Sequence, residues 1–163
     1  MSMTVHKARV TIVRHAAAII FVGLIAGFSW AFALLEKVQI SPIPITFFDG
    51  FPGDPGRWHI VHLGCITNGL MALGFSAAMG LFELAERQAK IIMVASLITI
   101  WGNLLFYIAS VFAPNHGLSF GDNIVGSGSL AGDIAYGGAM FAAFAALYIM
   151  WSFVWLPAKQ SNS

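Results

Sequence analysis

Four stretches of this chain, roughly residues 16–35, 60–84, 91–112 and 134–156, are apolar over about the 20 residues that a bilayer core demands of a helix. No other feature narrows the fold as much. In lipid every backbone N–H and C=O must be paired within the protein, and a helix achieves this inside one segment. The expected fold is therefore all-α: a bundle of four transmembrane helices, forming a single integral membrane domain over residues 1–163. Charged residues make up only 9% of the chain, too few to cover a surface that faces water on all sides.

Lys7, Arg9 and Arg14 precede the first apolar run, as in a signal peptide. The run is too long for a signal segment, and it ends at Glu36-Lys37 without a small-residue cleavage site, so it reads as a retained span. Lys7, Arg9, Arg14, Arg87, Lys90 and Lys159 fall on the termini and the second loop, whereas the first and third loops hold only Lys37 and Arg57. That excess predicts that both termini are cytoplasmic. Trp58, Trp101, Trp151 and Trp155 read as an aromatic belt towards the helix ends. The first loop contains Pro42, Pro44, Pro52 and Pro55 and cannot be helical throughout. Its apolar residues Ile40, Ile43, Ile45, Phe47, Phe48 and Phe51 predict packing on the membrane face, and the tail after Lys159 reads as disordered. Gly23-x3-Gly27 permits close helix approach, either inside the bundle or at an oligomer interface.

Several chemistries are excluded by what is missing. There is no Gly-rich phosphate loop, no H-E-x-x-H and no pair of carboxylates within a span. Asp and Glu are nearly absent from the apolar segments, which argues against a proton relay or an ion pump. The lone Cys65 can form no internal disulfide and reads as a small packing residue. The polar groups left in or near the membrane are His15, His62, Asn68, Asn103, Tyr107 and Tyr136.

An imidazole is costly in hydrocarbon, so His62 is a functional candidate by default. Haem iron is often held by one such histidine. Cys65 follows three residues on, but nothing nearby completes a zinc set. Asn68 lies about 240° around the helix from His62, so the two side chains point to different faces. They serve sites on both sides of the helix or meet across a subunit boundary. Asn103 and Tyr107, four residues apart, share a face of the third span. Each residue also has a plain reading: hydrogen-bonded packing for His62, interhelical bonding for Asn68, interface anchoring for Tyr107. Three functions stay open on these residues alone. One is a bundle with a haem or ligand site. Another is a b-type haem electron carrier in which His15 is the second axial candidate. The last is a cofactor-free transporter or structural subunit.

The motifs carry the reading further. Trp58-x3-His62-x-Gly64-x3-Asn68-Gly69, then Trp101-x-Asn103-x2-Phe106-Tyr107, then Pro114-Asn115-x-Gly117-Leu118-x-Phe120-Gly121 resembles the styrene oxide isomerase family over roughly residues 10–155. The resemblance implies an integral membrane isomerase of the bacterial cytoplasmic membrane. It implies haem b, with His62 as the axial iron ligand and Asn68 and Tyr107 as the polar residues acting on the epoxide. It further implies a homotrimer with haem at the subunit interfaces. The reaction it implies is the Meinwald rearrangement of an aryl epoxide such as styrene oxide to an aldehyde, with the epoxide supplied by a monooxygenase. Two positions depart from the pattern: His116 stands where arginine is expected, and Leu63 where a small polar residue is usual.

Overall fold

The computed structural model describes residues 2–39 and 46–159. Its elements are helix α1 (Met3–Leu35), strands β1 (Lys37–Gln39) and β2 (Thr46–Asp49), and helices α2 (Pro55–Ala78), α3 (Glu86–Ser110) and α4 (Leu130–Trp155). All four helices are long and apolar enough to cross a membrane. The protein is a multi-pass, all-helical membrane bundle.

Each helix starts where the sequence supplies a cap. The Ser2 side chain accepts from the Val5 N–H, Asp54 from the Arg57 N–H ahead of Pro55, and Ser129 from the Gly132 N–H. At α3 the Gln88 side chain reaches back to the Ala85 N–H. The helices outrun the apolar stretches at their N-terminal ends because hydropathy measures apolarity, not helicity. In α1 the buried residues Val5, Ala8, Ile12, Ala16 and Ile19 recur at helical spacing and carry the helix through the basic segment. In the other direction, α2 stops at Ala78 rather than Leu84, and Met79–Ala85 turns the chain into α3.

Helix α1 packs on α2 and α3 on α4, while α3 also touches α1 and α2. Glycines set the closest approaches. A Cβ at Gly102 would lie 2.7 Å from the Gly138 carbonyl oxygen, and one at Gly138 2.8 Å from that of Gly102. Gly23 and Gly27 face α2 of the same chain, so this motif serves packing inside the bundle.

The N-terminus, the α2–α3 turn and the C-terminal segment meet at one end. Arg9 Nε donates to the Ser76 carbonyl, and Ala158 bridges to Phe82. At the other end β1 and β2 pair antiparallel, and Phe51 packs against Phe32 and Trp58. Ile40, Ile43, Ile45 and the tail after Lys159 lie outside the described residues. The α3–α4 loop is organised by Asn115, buried, whose side-chain amide donates to the carbonyls of Ser119 and Gly121 while its oxygen accepts from the Gly117 N–H. Tyr136 packs edge-on against Phe120 of this loop, and His116 adopts a left-handed conformation within it.

Candidate active site

Helix α2 presents two faces, and the candidate residues divide between them. On the α1 side His62 Nδ1 lies 2.8 Å from the Gly23 carbonyl oxygen. A carbonyl only accepts, so Nδ1 carries the proton and Nε2 is left with its lone pair. This is the arrangement of metal-ligating histidines, in which one ring nitrogen donates to a backbone carbonyl and the other binds the metal. The contact exists because α1 is bare here. A Cβ at Gly27 would lie 3.0 Å from His62 Nδ1 and 3.1 Å from Cε1. Trp30, one turn further along α1, stacks on His59 at 4.3 Å and on His62 at 6.0 Å between ring centroids. Among the described residues no three His, Cys, Asp or Glu side chains gather as a metal-binding group. The Nε2 lone pair and its apolar, aromatic surroundings fit a haem, which one histidine often holds.

On the α3 side Asn68, buried, donates from Nδ2 to the Ile100 carbonyl at 3.0 Å. Its Oδ1 accepts from Asn103 Nδ2 at 3.2 Å. These bonds fix which way the Asn68 amide points and leave one of its N–H groups uncommitted. One turn back along α2, Gly64 seats the Tyr107 ring: a Cβ there would lie 2.7 Å from Tyr107 Cζ. The Tyr107 hydroxyl has no hydrogen-bond partner among the described residues. Asn68, Asn103 and Tyr107 thus share the α2–α3 seam, while His62 occupies the α1–α2 seam. The divergence expected from their helical spacing is the one observed.

The comparison with known proteins decides the family. The family model for styrene oxide isomerase matches residues 8–157. The styrene-oxide isomerase of Pseudomonas fluorescens is 30% identical over 116 residues, covering 71% of this chain and 68% of that protein. This chain belongs to the styrene oxide isomerase family. It is an isomerase of epoxides, carried on four membrane-spanning helices.

Other parts of this styrene oxide isomerase family member differ from the sequence reading. Trp101 is not a belt residue at a helix end. It lies well inside α3, and its indole N–H donates to His15 Nδ1 at 3.2 Å. Indole is only a donor, so His15 Nδ1 must accept, which puts the ring proton on Nε2. Two open grooves, of about 510 and 590 Å³, run along α3 and α4 and involve none of His62, Asn68 and Tyr107. The sequence alone does not assign the Gly23 carbonyl, the Trp30 stack, the Gly64 seat or the Asn103 brace. The glycines stand out in it only as small residues, and Trp30 belongs to no motif. Only the pairing of helices reveals which of them meets an imidazole or a phenol.

Proposed function

We propose that this protein converts an apolar aryl epoxide, such as styrene oxide, to the aldehyde by Meinwald rearrangement, at a haem b-dependent site in the bacterial cytoplasmic membrane. Both termini face the cytoplasm in this reading. The observation that carries it is the His62 Nδ1 contact with the Gly23 carbonyl, which leaves the Nε2 lone pair free, so that His62 would hold the haem iron in a chain of this family. Bound there, ferric haem supplies a Lewis acid for the epoxide oxygen.

The rest of the chemistry belongs to the chain and the substrate. As the benzylic C–O bond breaks, the oxygen gains negative charge and the aryl ring spreads the cation. Tyr107 donates its free hydroxyl to that oxygen, and the uncommitted N–H of Asn68 orients it. Donors aimed in advance at developing charge contribute about 3 kcal/mol each where water is excluded. A hydride then moves from the adjacent carbon to the benzylic one and the carbonyl forms. No atom is gained or lost, so neither oxidant nor reductant is consumed. Water in the pocket would trap the cation as a diol, and the surrounding apolar helices keep it out.

The split of His62 and Asn68 between two faces of α2 supports a homotrimer in which haem lies between subunits, so that one helix serves two neighbouring sites. A membrane site also suits the class of reaction that must supply the substrate, a monooxygenase acting on an alkene. The test is the absorption spectrum of detergent-purified protein, oxidised and reduced, with aldehyde and diol measured from styrene oxide. A Soret band with aldehyde as the main product is expected. A colourless, folded protein made with ample haem overturns the cofactor, and diol as the main product overturns the dry pocket.

A further inference from the structure

The bundle end that holds both termini is cationic: Lys7, Arg9, Arg14, Arg87, Lys90 and Lys159 lie there, against Glu83 and Glu86. The ammonium groups of Lys7 and Lys90 have no hydrogen bond or ion pair among the described residues. They line one groove of about 300 Å³ between α1 and α3, together with Thr4 and Thr11.

Lys90 also opens a second groove. This one, about 510 Å³, runs between α3 and α4 over Ile91, Val94, Ile98, Phe141 and Phe144. From Lys90 to Ile98 the helix rises about 12 Å, close to the ~15 Å depth of one leaflet's hydrocarbon. A cationic, hydroxyl-lined cleft thus leads at one shared residue into an apolar furrow of leaflet depth. A free inorganic anion would use only the cleft, and a neutral lipid would leave the two ammonium groups unmatched. We propose that an anionic phospholipid occupies both grooves, with its phosphate between Lys7 and Lys90 and one acyl chain along α3 and α4. The site is separate from His62, Asn68 and Tyr107.

Native mass spectrometry of the detergent-purified full chain tests this, with phosphatidylglycerol, phosphatidylcholine or inorganic phosphate added. The wild type is expected to retain phosphatidylglycerol in preference to phosphatidylcholine. The Lys7→Gln/Lys90→Gln variant is expected to lose retention by about fivefold per lysine, roughly thirtyfold in all. Arg87→Gln/Lys159→Gln, which removes the same charge elsewhere on this face, is expected to retain it. Val94→Trp, which fills the furrow, is expected to lose it with both lysines intact. Equal retention of the two lipids, or equal loss in both double variants, overturns the site. Displacement of the lipid by inorganic phosphate makes it a free-anion cleft and overturns the acyl furrow. A change of subunit number in Val94→Trp shows that a second copy covers the furrow, and also overturns the proposal.

Discussion

His62 and His15 are both half-buried imidazoles in contacts between helices, and each has Nδ1 engaged, yet the partners leave them opposite. Against α1, His62 donates to a carbonyl and keeps a lone pair on Nε2. Against α3, His15 accepts from an indole and carries its proton on Nε2. A metal needs the lone pair, so of these two rings His62 is the one whose Nε2 is free to offer it. The lesson is that the residue type does not settle an intramembrane histidine's role; the neighbour on the facing helix does. The same contrast weighs against an electron carrier with His15 as second axial ligand. His15 would have to lose the Trp101 bond or change tautomer, and it sits on a different seam from His62.

The largest effect expected from this contrast is that of removing each ring. In His62→Ala the Soret band and aldehyde formation fall to background. In His15→Ala the Soret band is kept and turnover changes by less than about threefold, the scale of one interhelical hydrogen bond. Spectra of the two purified variants, with turnover of styrene oxide, check this. Equal loss of haem from both would break the comparison and restore the two-histidine reading.

Next in size is Tyr107→Phe, which asks whether the α2–α3 seam works on the same reaction as His62. The ring keeps its seat on Gly64, and only the donor is lost. Turnover is expected to drop by about 10²–10³, as for other donors aimed at developing charge, with the Soret band unchanged. Full turnover would remove Tyr107 from the chemistry.

Gly27→Ala probes the support of His62 more gently. Its new methyl meets the imidazole at about 3.0 Å, tighter than ordinary contact, so the ring must shift against the Gly23 carbonyl. Haem affinity is expected to fall by about 10–100-fold, the usual scale for disturbing a ligand's hydrogen-bonded support. Gly74→Ala, where a Cβ would meet nothing within 4 Å, serves as the control and is expected to retain haem. Haem titration of both apoproteins decides it. An unchanged affinity in Gly27→Ala would show that the carbonyl contact does not hold the ring.

Much of this arrangement is legible in the chain. The four spans follow from apolar length, and the opposed faces of His62 and Asn68 follow from helical geometry. What the sequence withholds is pairing. Gly23-x3-Gly27 announces a close approach but not that His62 is what approaches. Asn103 and Tyr107 share a face, but nothing in their spacing says that Asn68 and Gly64 lie opposite. In Met3–His15 the charged side chains mask the buried stripe that keeps the segment helical. Trp101 reads as interfacial because tryptophan usually is, and its partner His15 is far away in sequence.

The smallest effect isolates the tautomer of His15. In Trp101→Phe the edge-to-face ring contact, with centroids 5.8 Å apart in the native protein, survives largely intact, and only the indole N–H is lost. One such bond in a membrane bundle contributes about 0.6 kcal/mol on average, so the cost in detergent-unfolding stability is expected to be near that value. The change matters for what it frees. Without its donor, His15 is released to take either tautomer, and a lone pair on Nε2 becomes available. If the two histidines are kept apart by position as well as by protonation, the Soret band of Trp101→Phe matches the wild type. If protonation alone separates them, the oxidised spectrum moves towards a six-coordinate, low-spin haem. Combining the variant with His15→Ala then restores the wild-type band, because His15 is the indole's hydrogen-bond partner among the described residues.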